Sequence, residues 1–320
     1  MNKDISVIVP YYNEAESILT TLELMARQSL QPLEVILVDS GSIDRSPDII
    51  DDWIARNGGG HGKAFFINLR ADTGVPSSSK NAGIRVSKGE LVAFMDCGLT
   101  FGMDWLEKQT DFMDFGGYDV VSGGCFLEGE GFWDRSAVAQ TYGYKRFCPS
   151  VPSSLVRKSV FDRTGLFLEG KRSGYDVDWV NRIETLGIRR GINPDVVVQY
   201  NGVNYAESLR GLFLKSANYA EGSLGLHEYY FPYAYIVLFL AFWPLLLFEP
   251  FLALMLSAFY LMTRGYLVPI LKSRGVRVIL DYPLLLFALP ISGVVIDSGK
   301  VLGILRSIFG QKSSKLRCQA

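Results

Sequence analysis

The chain lacks what would mark a zinc finger, a disulfide scaffold or a nucleic-acid binder. Its four cysteines, Cys97, Cys125, Cys148 and Cys318, stand far apart, with no CxxC pair and no histidine at zinc-ligand spacing. Free thiols in a reducing compartment are the plain expectation. Net charge is −1, from 32 basic and 33 acidic residues, so no excess of Lys and Arg is available to neutralise phosphates, and nucleic acid is not expected as a partner. The N-terminus, Met1-Asn2-Lys3-Asp4, runs straight into a strand-like segment without a separate apolar h-region. The part that follows is therefore expected on the cytoplasmic side.

What is present points to a large core and a membrane. The 320 residues are 48% apolar and 20% charged, enough for one large or two ordinary domains and too apolar for disorder. From Phe231 to Met262 the only charged residue is Glu249. A span needs about 20 apolar residues, so this run is long for one helix and tight for two. Pro244 and Pro250 bracket Glu249 and predict a bend, giving a hairpin with arms His227–Phe248 and Phe251–Leu271; one tilted span or a re-entrant hairpin are the alternatives. In the hairpin Arg264, Lys272, Arg274 and Arg277 return to the side of the N-terminal domain, as the positive-inside bias requires. A third apolar segment, Tyr282–Ile308, is interrupted by Pro290, Asp297 and Lys300 and is expected as an interfacial helix or helix pair, with a third membrane crossing as the alternative. The expected organisation is thus 1–225, a catalytic domain; 226–275, a transmembrane hairpin; and 276–320, an interfacial segment with a tail carrying Lys312, Lys315 and Arg317.

The first two hundred residues alternate strand and helix signals, as a parallel sheet of the α/β class demands. Strands are predicted at Ile5–Val9, Leu33–Val38, Ala64–Leu69 and Leu91–Met95, and helices at Glu14–Gln28, Asp48–Arg56 and Ser79–Ser87. Such sheets bind ligands beyond the carboxyl ends of their strands. There stand Pro10, Tyr11, Tyr12, Asn13 and Glu14, then Asp39, Ser40, Gly41 and Ser42, and then Asp96. A tyrosine face can stack on a nucleobase, and a carboxylate can accept from a base N–H or reach ribose or a metal beside a diphosphate. Taken singly, Tyr12 reads as packing, Asp39 as a cap and Asp96 as a turn residue; a shared edge favours the binding roles.

Ile5-Ser6-Val7-Ile8-Val9-Pro10-Tyr11-Tyr12-Asn13-Glu14, followed by Val38-Asp39-Ser40-Gly41-Ser42-Ile43-Asp44, resembles the opening of the family-two inverting glycosyltransferases of GT-A fold. Ser79-Lys80-Asn81-Ala82-Gly83-Ile84, Lys88-Gly89-Glu90 and Phe94-Met95-Asp96 are similar to that family's approach to its DxD motif. The resemblance implies that Pro10, Tyr12, Glu14, Asp39, Lys80 and Asp96 line a nucleotide-sugar site: Tyr12 on the base, Asp39 at its edge, Lys80 near the diphosphate, and Asp96 as the first DxD carboxylate. It further implies a divalent cation, Mg²⁺ or Mn²⁺, with Asp96 as its ligand. The motif here reads Asp96-Cys97-Gly98, so glycine stands where a second acid is usual. One carboxylate with diphosphate oxygens and water can hold Mg²⁺; alternatively Lys80, Lys171 or Arg172 offsets the leaving-group charge.

Gly174-Tyr175-Asp176-Val177-Asp178 resembles the acidic motif of the acceptor side and makes Asp176 the catalytic base, with Asp178 free to pair with Arg182 one helical turn on. An acidic first helical turn complementing the dipole is the plainer alternative for Asp176. Gly123 to Gly131 and Pro149 to Ser154 are expected as loops bordering an acceptor pocket. The helix around Leu212–Gly222 is similar to one running up to the bilayer in membrane-attached relatives, but lacks their Gln-x-x-Arg-Trp signature, so single addition is expected rather than processive synthesis. The function implied is transfer of a sugar from a nucleotide-diphosphate donor, a UDP-sugar by resemblance, to a lipid-linked glycan at the inner membrane in surface polysaccharide assembly. A polyprenyl-phosphate glycosyl synthase and a non-catalytic scaffold are the alternatives.

Overall fold

In the computed structural model, which describes residues 4–57, 64–127, 129–200, 208–223 and 241–317, strand and helix alternate from the start. β1 (Ile5–Tyr11), β2 (Glu34–Asp39), β3 (Phe65–Arg70) and β4 (Leu91–Phe94) are linked through α1 (Ile18–Ala26), α2 (Ser46–Asn57) and α3 (Pro76–Val86). Every residue of β1 and β2 is buried, which is why they read as continuous apolar runs: parallel strands are covered on both faces. Pro10 fits within β1 because the β4 ladder ends at Ile8, so its missing N–H falls beyond that pairing. α3 starts on Pro76, which suits a first helical turn, and lies close on β1: a Cβ on Gly83 would come within 2.6 Å of Ile8.

The chain continues through β5 (Leu99–Thr100), α4 (Trp105–Gly116), β6 (Val120–Phe126), α5 (Phe132–Thr141), β7 (Phe147–Pro149), β8 (Leu155–Arg157), α6 (Val160–Thr164), α7 (Tyr175–Thr185), β9 (Arg190–Tyr200) and α8 (Leu209–Ser223). The sheet order is β3-β2-β1-β4-β8-β6-β9-β5, with β7 beside β6. Pairings among β1 to β4 are parallel, whereas β8 runs antiparallel to both β4 and β6. This is the expected α/β, Rossmann-like architecture. One expectation is corrected: Gly123 and Gly124 lie inside β6, not in a loop. Glycine is needed there because a Cβ would meet the Val196 carbonyl at 2.7 Å and the Cys148 carbonyl at 2.7 Å respectively.

Two compact units emerge, and they do not follow the expected boundary at residue 225. One comprises Met1–Phe126 and Phe147–Asn201; the other, Leu127–Arg146 and Gly202–Ala320. α5 therefore belongs with the C-terminal helices, for an apolar reason: Ala137 and Val138 share a buried cluster with Leu212 and Ile296, and Ala139 with Leu285, Ala288 and Leu289.

In this second unit, residues 241–248 are helical, the chain is extended at Glu249, and a new helix runs Pro250–Met262. The bend expected at Glu249 is present; most of the first hairpin arm, residues 227–240, lies outside the described residues. The helix passes through a π-turn, Thr263–Leu267, into Val268–Lys272. The third apolar segment takes the single-helix form: Leu285–Arg317 is one continuous helix with Pro290 inside it. Pro290 cannot donate to the Leu286 carbonyl, and the Tyr266 hydroxyl takes that acceptor at 3.0 Å, so the proline costs the helix little. Pro250–Lys272 and Leu285–Phe309 are long and apolar enough to cross a membrane. α8 packs against the long helix at Gly299 and Gly303, where a Cβ would come within 2.4 Å of the Phe213 carbonyl and 2.1 Å of the Ala217 carbonyl.

Candidate active site

The loops after β1 and β2 are hydrogen-bonded to each other. Asn13 donates its N–H to Ser42 Oγ (3.0 Å) and accepts the Ile43 N–H (2.9 Å); the Glu14 and Ala15 amides reach Ser46 Oγ (2.7 Å) and Asp44 Oδ2 (3.0 Å). The two sequence motifs thus form one shelf. Asp39, nearly buried at its back, accepts the Gly41 and Ser42 amides at 3.1 and 2.8 Å through Oδ1, while Oδ2 lies 3.6 Å from Arg70 Nη1. The capping reading of Asp39 is thus present in one oxygen, which shapes the turn, while the other faces a cation from β3. Tyr12 is 48% exposed on the shelf, while Tyr11 points inward and donates to Asn68 Oδ1 at 2.7 Å. Pro10 is buried in β1.

Beyond β4, Asp96 accepts a 2.7 Å hydrogen bond from Lys80 Nζ, with the lysine side chain 1% exposed and the aspartate 36%. Lys80 is thus not an open ligand for a diphosphate; it reaches the site through Asp96 and fixes one carboxylate oxygen. Its ammonium also donates to the Tyr175 hydroxyl at 3.4 Å. Burial works against that charge, but Asp96 and then Tyr175 outweigh it and hold the lysine pKa above its ordinary value. Burial in turn pushes the Tyr175 phenol up to about 12. Sequence reasoning passed over Tyr175 although it directly precedes Asp176; its role shows only once α3 and α7 face one another.

α7 is fixed by an aromatic core. Trp179 stacks on Phe161 with ring centres 5.3 Å apart and donates to Thr164 Oγ1 at 3.1 Å. Asp178 pairs with Arg182 at 2.8 Å, as the helical spacing predicts. This leaves Asp176, half-buried in the first turn, close enough to act on the Tyr175 phenol electrostatically. The loop before α7 is tied to α3: Asn81 exchanges hydrogen bonds with the Phe167 backbone (2.8 and 3.0 Å), and the Gly170 and Lys171 amides donate to Ser78 and Ser77 (3.0 Å each). In contrast, the Lys88-Gly89-Glu90 motif is structural. Lys88 donates its amide to the buried Glu34 (2.6 Å), Gly89 donates to Ser6 (2.8 Å), and a Cβ on Gly89 would meet the Asp4 carbonyl at 2.6 Å.

At Gly98 the backbone is left-handed, φ 79°, and a Cβ would stand 3.5 Å from Glu14 Oε2, which is itself hydrogen-bonded to Ser17. Glu14 thus brings a carboxylate from the β1 shelf to the place a second acid of the motif would fill. Among the described residues no group of three His, Cys, Asp or Glu side chains is arranged for a metal. The donor chemistry fits a divalent cation held by one or two carboxylates and otherwise by diphosphate oxygens and water. Burial pushes the Cys97 thiol up to about 12 despite contacts to Thr21 and Ser17.

A profile described as glycosyl transferase family 2 matches residues 6–182. Glycosyltransferase AglE of Haloferax volcanii is 26% identical over 220 residues, covering 65% of this chain and 70% of that protein. EpsJ of Bacillus subtilis, described as an uncharacterized glycosyltransferase, is 30% identical over 138 residues, which span 43% of this chain but only 36% of EpsJ. Among solved structures, the mannosyltransferase PcManGT of Pyrobaculum calidifontis, in complex with GDP-Man and Mn²⁺, superposes with a TM-score of 0.56 at 18% identity, over 97% of this chain and 88% of that one.

Proposed function

The chain belongs to glycosyl transferase family 2 and is a glycosyltransferase using a nucleotide-sugar donor, and from that premise we propose that it is inverting, takes a UDP-sugar and glycosylates a hydroxyl of a lipid-linked glycan in surface polysaccharide assembly. The observation that carries the reading is the meeting of Asp96, Lys80 and Tyr175 at the edge of the sheet, with Asp176 adjoining. Tyr12 offers its exposed ring to the base, and Asp39, with Arg70 behind it, offers a carboxylate to the base edge. Lys80 orients Asp96 toward the diphosphate. A divalent cation held by Asp96, with Glu14 nearby, would neutralise charge on the departing diphosphate. Asp176 accepts the proton of the attacking hydroxyl as the acceptor oxygen bonds to the anomeric carbon and the bond to the diphosphate breaks. One displacement inverts the anomeric centre. The apolar helices Pro250–Lys272 and Leu285–Phe309 support residence at the inner membrane, where confinement concentrates a lipid-linked acceptor beside a cytoplasmic catalytic unit.

The test is isothermal titration of UDP into the detergent-purified full chain, with Mg²⁺ or Mn²⁺ and then with EDTA, together with turnover of Asp176→Asn. UDP binding is expected to survive Asp176→Asn while transfer falls roughly 10²- to 10⁴-fold. Absence of UDP binding under every condition would sink the donor assignment. A mild effect of Asp176→Asn on transfer would instead identify a phosphate acceptor, which needs little deprotonation.

A further inference from the structure

The transfer chemistry leaves one polar proton at the edge of the sheet without a use, that of the Tyr175 phenol. Lys80 Nζ donates to the Tyr175 oxygen at 3.4 Å and to Asp96 Oδ1 at 2.7 Å. An ammonium has donors and no acceptor, so the phenol oxygen is the acceptor in this bond and its own proton is directed elsewhere. Among the described residues no oxygen takes that proton in a hydrogen bond. Asp96 and Asp176 act on the phenol through their charges, without bonding to it, and burial keeps it a phenol rather than a phenolate.

The ring is held in place from two helices. It meets Phe167 edge-on, with ring centres 5.5 Å apart and planes at 84°, and the buried Phe167 is bound through its backbone to Asn81 of α3. Lys80, also of α3, lies over the same ring, 5.8 Å from its centre. The hydroxyl on α7 is therefore fixed before any ligand arrives, the condition under which a donor stabilises charge without reorganising.

What stands behind the phenol says what kind of oxygen it serves. The Lys80 side chain is sealed in and out of reach of anything that enters the site, whereas Tyr175 is partly exposed. A hydroxyl that accepts from a cation is polarised and becomes a stronger donor. It passes part of the buried charge outward and gains most from an oxygen that is itself negative; a neutral sugar hydroxyl would use little of that polarisation. The anion of a nucleotide-sugar donor is its diphosphate, and Asp96, joined to Tyr175 through Lys80, stands on the diphosphate side of the site.

We infer that the Tyr175 hydroxyl, backed by Lys80, donates a hydrogen bond to the β-phosphate of the nucleoside diphosphate. As the bond from the anomeric carbon to the diphosphate oxygen breaks, the electron pair stays on the diphosphate and the hydrogen bond to it strengthens, while the phenol keeps its proton. The inference rests on the diphosphate donor of the functional reading, not on its base or its acceptor.

The test is isothermal titration of UDP, and of UMP directly or by competition with UDP, into the detergent-purified full chain and into Y175F, all with Mg²⁺ and with a melting curve to verify folding. UMP lacks the β-phosphate and so reports on the rest of the site. Y175F is expected to bind UDP about 10- to 100-fold more weakly, as loss of one hydrogen bond to a charged oxygen does, and to bind UMP as wild type does. Unchanged UDP affinity in a folded Y175F would overturn the contact. So would an equal fall for UDP and UMP, which would show that the phenol only keeps the site in shape. If Y175F does not fold, Y175M, which also lacks the hydroxyl, carries the same comparison. If wild type binds GDP and not UDP, the base assignment falls, and GDP with GMP reads this contact in the same way. Wild type that binds neither diphosphate would remove the donor reading and this contact together.

Discussion

Two ion pairs of equal length, 2.7 Å, stand in very different surroundings. At the edge of the sheet Lys80 meets Asp96, one cation to one anion, with the lysine sealed in and the aspartate open to solvent and ligand. In the helical unit Arg264 meets Asp297 with both partners enclosed and with Lys300 and Lys272 crowding the same place. A matched pair with one open member can turn that member toward a ligand while staying stable without it. An enclosed pair whose carboxylate is taken up by arginine, tyrosine and lysine ties two helices together and has no free oxygen to offer.

The contrast can be broken most sharply at Asp297. Asp297→Asn strips the only hydrogen-bonded carboxylate among the described residues from the helical cluster and is expected to cost about 3–5 kcal/mol, as removal of one partner of a buried pair does, read as a large fall in melting temperature in detergent. Replacing both partners, Arg264→Met with Asp297→Leu, should recover most of that loss. Asp96→Ala leaves Lys80, whose side chain is 1% exposed, without its anion and is expected to cost a comparable amount, about 3–5 kcal/mol, while abolishing UDP binding. Lys80→Met, leaving an aspartate that water can reach, should be milder in stability. If Lys80→Met proves as destabilising as Asp297→Asn, the distinction between open and enclosed pairs is wrong.

A finer probe is Gly98→Asp, which restores the usual acidic spacing. Placing a side chain at φ 79° beside Glu14 should lower stability by about 1 kcal/mol while raising Mn²⁺ affinity, both measurable by calorimetry. A further effect is alkaline. Burial pushes the Cys97 and Cys125 thiols up to about 12, against about 8.5 for a free thiol. Their protonated forms are therefore favoured in the folded chain, a contribution complete below about pH 8.5 and lost as pH rises toward 12. Melting temperature should decline over that window, and thiol reagents should label both cysteines slowly at pH 8.

The sequence was most legible where burial is two-sided. β1 to β4 fall within a residue or two of their expected positions because continuous apolar runs leave little choice. The placement of Asp39, Asp96 and the loop after β1 at one edge was readable for the same reason: it follows from strand direction alone. Less legible was anything depending on distant chain meeting distant chain. Lys80 is separated from Tyr175 by 95 residues, so its hydrogen bonds to that hydroxyl and to Asp96 were not readable from spacing. Pro290 read as an interruption because the hydroxyl that satisfies Leu286 comes from another helix. α5 read as part of the catalytic domain because its true neighbours lie far downstream.

That last arrangement sets a clock on synthesis. Gln140 in α5 donates to the Leu289 carbonyl, a partner 149 residues later in the chain, and Ser136 pairs with Ser292. At about 5–20 residues per second, α5 leaves the ribosome roughly 7–30 s before the helix that covers it. Throughout that interval Ala137, Val138 and Ala139 lack the cover that Leu285, Ala288, Leu289 and Ile296 supply. The nascent chain must therefore carry an uncovered apolar helix in its middle until the last helix arrives, and any pause in translation near its C-terminus lengthens that exposure.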